Sequence, residues 1–156
     1  MPTETIYWDS CVFIDRIQRT PGRIAVIEQI TNAAERGDVV LVTSALTLAE
    51  VVKGPEGLLP VEQEQLIIGL FENPYIRLRP VDRLVAEKAR EVGRLCSMKP
   101  PDAIHVATAI LASDVSVLHT FDEAMIRKCS LVSLGITVQL PHWRQDLQLP
   151  LSLGDD

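Results

Sequence analysis

Four acidic residues in this 156-residue sequence each combine apolar neighbours with the edge of a structural element. Asp9 follows Tyr7-Trp8, Glu50 sits between Leu48-Ala49 and Val51-Val52, Asp102 precedes Ala103-Ile104, and Asp122 follows Phe121. Apolar flanks imply partial burial. Several carboxylates cannot share a small space while ionised, because like charges in a low dielectric raise one another's pKa and destabilise the fold. A divalent cation removes that conflict, and an all-oxygen ligand set selects a hard ion, Mg²⁺ or Mn²⁺, over zinc. Such an ion polarises a phosphate and lowers the pKa of a bound water, so the chemistry implied is phosphodiester hydrolysis. Taken singly, each acid also has a plainer role. Asp9 and Asp122 are placed to cap helices, Asp102 to complement a helix dipole, and Glu50 to sit solvated on a helix. The argument for a site is that all four fall together.

They fall together because of the elements that must carry them. Thr5–Trp8 is β-branched and aromatic and reads as a strand, as do Val39–Val42, Tyr75–Arg79, Val115–Leu118 and Ile136–Leu140. Between them lie helical patterns. Ser10–Ile17 has Ser10 as its expected N-cap, and the repeat Ile24, Ile27, Ile30, Ala34 ends at Gly37. Ser44 caps a helix carrying Leu48, Val51 and Val52, stopped by Gly54-Pro55, which sets Glu50 about two turns in. Pro60 opens a helix to Phe71, Asp82 caps one bearing Leu84, Val85, Ala89, Val92 and Leu95, and Pro100-Pro101 leads into Asp102–Ala112. Phe121–Lys128 is a short last helix. The alternation predicts an α/β fold, a three-layer α/β/α arrangement with a mostly parallel central sheet. In such sheets ligands bind beyond the carboxyl ends of the strands, and all four acids map to that edge.

Composition narrows the classes. The length suits one domain, 47% hydrophobic residues can form a core, and 15 Lys+Arg against 21 Asp+Glu leave a net charge of −6. A generic cationic coat for nucleic acid or membrane is excluded; a nucleic-acid partner needs local positive charge or a bound cation. Cys11, Cys96 and Cys129 form no C-x-x-C pair, which suits a reducing, cytoplasmic location. No basic region precedes an apolar run at the amino terminus, and no apolar run approaches the roughly 20 residues needed to cross a bilayer, so no membrane partner is expected. No Walker loop, G-x-G-x-x-G or G-x-S-x-G occurs.

The segments carrying the acids resemble the PIN-domain nucleases. Tyr7-Trp8-Asp9-Ser10-Cys11-Val12-Phe13-Ile14-Asp15 resembles the opening motif of that family, and Ser44-Ala45-Leu46-Thr47-Leu48-Ala49-Glu50-Val51-Val52-Lys53-Gly54 the second. Pro101-Asp102-Ala103-Ile104-His105-Val106-Ala107-Thr108-Ala109 resembles the third and Thr120-Phe121-Asp122 the fourth. The ordered set of four, from Thr5 to about Gln139, is the specific feature. Within the family the size and plain architecture look like VapC-type toxins. The resemblance implies a PIN-like nuclease domain over residues 1–140, with 141–156 a C-terminal tail. It implies a Mg²⁺- or Mn²⁺-dependent ribonuclease acting on RNA, with Asp9, Glu50, Asp102 and Asp122 as catalytic and metal-holding residues, and it implies a homodimer and an antitoxin protein partner. Cys11 departs from the Asn or Ser often found there, which weakens a hydrogen-bonding role, and Met125 replaces a commonly aromatic residue.

The remaining polar residues read as follows. Ser10 and Thr120 could orient a neighbouring acid or simply cap helices. Asp15 is expected to face solvent or pair with Arg16 or Arg19. His105, one turn past Asp102, shares its face and reads first as a satisfied helix histidine. His119 and His142 lack partners at metal spacing. Arg16, Arg19, Arg23, Lys53 and Lys99 could contact RNA phosphates or form a solvated face. Tyr7 and Trp8 read as core. The alternative functions are a PIN-fold module binding protein or RNA without turnover, and a DNA- or structure-specific nuclease.

Overall fold

β-Branched and aromatic runs form the strands, and side-chain alternation along them sorts residues between two faces. The structure, a computed structural model, describes residues 3–144. Its main sheet contains β1 (Glu4–Trp8), β2 (Val39–Ser44), β5 (Ile76–Arg79), β6 (Val117–His119) and β7 (Thr137–Gln139), in the order β5-β2-β1-β6-β7. Every pairing in it is parallel. A two-stranded antiparallel hairpin, β3 (Lys53–Gly54) and β4 (Gly57–Leu58), stands apart.

Parallel strands require crossovers, and helices supply them. These are α1 (Ser10–Gln18), α2 (Ile24–Glu35), α3 (Leu46–Glu50), α4 (Glu64–Phe71, after a 3₁₀ turn at Val61–Gln63), α5 (Arg83–Cys96), α6 (Pro100–Leu111) and α7 (Glu123–Ser130). On one face Ile6 and Trp8 of β1 pack with Val12, Phe13, Ile27, Ile30 and Phe71 from α1, α2 and α4. On the other, Tyr7 packs with Val92, Val106, Ala107 and Met125 from α5, α6 and α7. The two clusters are the outer contacts of a three-layer α/β/α sandwich, the fold class expected from the alternation of elements.

Strand order fixes where a ligand could bind. The chain runs outward from β1 through β2 to β5, then crosses back to place β6 on the other side of β1. The order reverses between β1 and β6, and the crevice beyond their carboxyl ends is the site such sheets use.

Several local expectations change. Ser10 is the first helical residue and Asp9 holds the N-cap position. The helix after Ser44 has five residues, because Val51 leaves it (ψ 60°) and the β-branched pair Val51-Val52 leads into the hairpin. Glu50 is therefore the last residue of α3 rather than a residue within a longer helix. Ser44 stays in β2, yet its hydroxyl accepts the Leu46 N–H at 3.1 Å. Gly37 does end α2, in the left-handed region at φ 87°. Of the expected tail, residues 141–144 are described, with Trp143 packed on the α1/α2 side of the sheet, and residues 145–156 lie outside the described residues.

Candidate active site

Asp9 is the first residue beyond β1 and is 4% exposed. It occupies the N-cap position of α1 without making a side-chain cap bond, so its carboxylate is available for other partners. The Cys11 thiol donates to Asp9 Oδ1 at 2.8 Å. Cys11 Sγ lies 3.4 Å from Thr120 Oγ1, and Thr120 Oγ1 accepts the Asp122 N–H at 3.0 Å. These contacts tie the end of β1 to the end of β6, alongside the Asp9 N–H bond to the His119 carbonyl. Burial and the adjacent Asp9 charge push the Cys11 thiol up, which keeps it protonated and able to donate. Cysteine thus fills the hydrogen-bonding role that its departure from the usual residue had put in question.

Asp122 caps α7: its Oδ1 accepts the N–H groups of Ala124 (3.0 Å) and Met125 (3.1 Å). Asp102 is in the first turn of α6, behind Pro100 and Pro101. The prolines need no N–H partner there, which is why the chain can turn sharply into this helix. Glu50, at the end of α3, meets α6 directly: His105 Nε2 is 2.6 Å from Glu50 Oε1.

The electrostatics tie Asp102 to two of the other acids, Glu50 and Asp122. Burial raises the Asp102 pKa, the charges of Asp122 and Glu50 raise it further, and His105 and Lys128 oppose the rise. Burial also raises Asp9, against the opposing pull of His105 and hydrogen bonds from Cys11 and Thr120. Asp102 thus shares its surroundings with Glu50, Asp122 and His105, and Asp9, at the end of β1, is linked to that group through His105. One oxygen each of Asp9, Glu50 and Asp122 is engaged by a protein partner. Among the described residues, no three His, Cys, Asp or Glu side chains are arranged to hold a metal ion as they stand. The donor set is nevertheless of the right kind for a hard cation, being carboxylate oxygen throughout, with the charges of Glu50 and Asp122 already acting on Asp102.

Tertiary contacts reassign several other residues. Asp15 is buried, not solvent-facing; it accepts from Thr20 Oγ1 (2.6 Å) and from Arg23 Nη1 (2.9 Å). Neither Arg16 nor Arg19 is its partner: Arg16 reaches Thr31 and Arg19 pairs with Glu28. Arg23 also lies over the Phe121 ring, 4.6 Å from its centroid, which brings one guanidinium to the rim beside Asp122. Tyr7 is core, as expected, but its hydroxyl is 2.7 Å from His105 Nδ1 and accepts the Ser44 N–H at 3.1 Å. His105 is the satisfied helix histidine expected, with both ring nitrogens partnered; its link to Glu50 on another element carried no signal in the sequence.

The family model described as PIN domain matches residues 6–131. No curated protein matches the chain. Among solved structures, FitAcB from Neisseria gonorrhoeae aligns at 22% identity and TM-score 0.60, covering 87% of this chain and 97% of that one. VapBC2 from Rickettsia felis, bound to a DNA fragment from their promoter, aligns at 15% identity and TM-score 0.62, covering 86% and 98%. DNA-bound VapBC from Salmonella typhimurium aligns at 18% identity and TM-score 0.58, covering 87% and 97%. At these identities the likeness is one of fold.

Proposed function

Since this chain belongs to the PIN-domain family, we propose that it is a divalent-metal-dependent endoribonuclease, the toxin of a toxin–antitoxin pair. The observation that supports the reading is that Asp9 and Asp122 follow β1 and β6, the two strands at the reversal point of the sheet, while Asp102 feels both Glu50 and Asp122. Asp9 and Asp122 would be the principal ligands for Mg²⁺ or Mn²⁺, and Glu50 and Asp102 would complete the set. When bound, the ion supplies charge stabilisation for the phosphate and a more acidic water.

The protein groups have separable tasks. Burial of Asp9 at the end of β1 keeps its carboxylate in a low dielectric, where attraction to a cation is strong. Cys11 and Thr120 hold the Asp9 and Asp122 segments in register. Glu50 and Asp102 orient the attacking water and take its proton. Arg23, anchored on Asp15 and stacked on Phe121, would contact RNA phosphate; such contacts give affinity without sequence preference.

The solved relatives are VapBC and FitAB assemblies. They support an antitoxin protein as partner, with a homodimer and a cytoplasmic setting as further parts of the proposal. Among the described residues no helix is long and apolar enough to cross a membrane.

The test is cleavage of structured RNAs by the full chain. Activity should require Mg²⁺ or Mn²⁺ and fall by about 100-fold or more in Asp9→Asn, since the metal contribution is worth several kcal/mol. Full activity in that variant, with the fold intact by circular dichroism, would reject the assignment. Absence of Mn²⁺ binding by calorimetry would favour a binding module.

A further inference from the structure

Glu50 is poorly placed to hold itself still. It closes a helix of five residues, shorter than a helix that is stable on its own, and the next residue has already left helical geometry. Its side chain is 30% exposed, and a free glutamate there would sample many rotamers. The structure supplies a brace from three well-packed elements. His105, 2% exposed on α6, contacts Glu50 through Nε2 at 2.6 Å and Tyr7 through Nδ1 at 2.7 Å. Tyr7, fully buried on β1, is in turn fixed by the Ser44 N–H at the end of β2.

The chain of bonds has a direction. The Glu50 carboxylate can only accept, so His105 Nε2–H is the donor across the 2.6 Å contact. The Tyr7 oxygen accepts from the Ser44 amide and holds the other ring nitrogen, Nδ1, at 2.7 Å. The imidazole sets edge-on to the Tyr7 ring, at 5.9 Å and 67°, which limits its rotation. Asp102 lies one turn earlier on the same face of α6, so the brace fixes Glu50 relative to Asp102 as well.

Resting on the nuclease reading above, we propose that His105, held by Tyr7, is a positioning residue that aims Glu50 into the metal site. A histidine that merely fills the core would be replaceable by an apolar side chain of similar length. A positioning histidine needs its N–H.

The test measures Mn²⁺ binding to the full chain by electron paramagnetic resonance, without RNA, and cleavage in parallel. His105→Met removes the donor and should lower Mn²⁺ affinity by about 10- to 100-fold, the usual effect of removing a hydrogen-bond partner of a ligand. His105→Gln, which offers an amide N–H at a similar reach, should recover to within a few-fold of wild type. Tyr7→Phe keeps the imidazole but frees it, and should fall between the two. Wild-type affinity in His105→Met overturns the proposal; if that variant fails to fold, wild-type affinity in Tyr7→Phe does so. The underlying reading fails separately: it falls if the unmodified chain binds no Mn²⁺, whereas binding that is lost in Asp9→Asn but kept in His105→Met and Tyr7→Phe removes only the positioning role.

Discussion

Asp9 is the most enclosed of the four acids, and its enclosure has a stability cost. Burial raises its pKa in the folded state. The folded chain therefore holds that proton more tightly than the unfolded one, and the stabilisation this gives at low pH is lost as pH rises through the folded pKa. At pH 7 without metal, Asp9→Asn should be more stable than wild type by about 1 kcal/mol, roughly 2–4 °C in melting temperature, even as it abolishes cleavage. Melting curves in chelator at pH 7 check this, and a lower melting temperature for the variant would contradict it. His119 titrates with the opposite consequence. It is 1% exposed, and burial, with His142 nearby, lowers its pKa from 6.5 to about 4. Between those values the unfolded chain takes a proton that the folded chain refuses, so stability falls on acidification by up to about 3 kcal/mol. His119→Phe should remove that part of the slope, as read by urea unfolding at pH 7 and pH 4.5. The burial of Asp9 and the partial burial of Glu50, Asp102 and Asp122 were legible from their apolar flanks; the partner of Asp15 was not. Arg23 lies eight residues on, and only the turn between α1 and α2 brings it back.

At the scale of elements, α7 depends on the same carboxylate that the site uses. Asp122 Oδ1 accepts two amides of the first turn, so the residue stabilises the helix whether or not it holds an ion. Asp122→Asn keeps an acceptor oxygen and should hold stability to within about 0.5 kcal/mol while cleavage drops; Asp122→Ala should lose about 1 kcal/mol of stability as well. Chemical denaturation beside activity separates the two roles. The caps at Asp82 and Gly37 were readable because capping is local chemistry. The extent of α3 was not. Leu48, Val51 and Val52 have helical spacing, but Val51 is 1% exposed in the core, and that burial decides where the helix ends.

For the whole molecule, the proposed site draws on residues 9, 50, 102 and 122, far apart in the chain, whose like charges repel and whose elements are brought together by the fold. An ion that binds this arrangement only when folded must stabilise it. Mn²⁺ at about 100 times its dissociation constant should add roughly 2.7 kcal/mol, a rise of several degrees in melting temperature. Thermal melts across a Mn²⁺ series check this, and Asp9→Asn should show no such rise.

Periodicity and composition were enough to specify an α/β chain and to assign the four acids to one edge of a parallel sheet, because strand and helix patterns and their punctuation are written locally. Which strands adjoin, and so where the order reverses between β1 and β6, came from long-range packing. The link from Ser44 through Tyr7 and His105 to Glu50 likewise spans elements far apart in the chain. A buried hydroxyl and a buried imidazole look like core residues in sequence; their hydrogen bonds exist only once two helices and two strands have met.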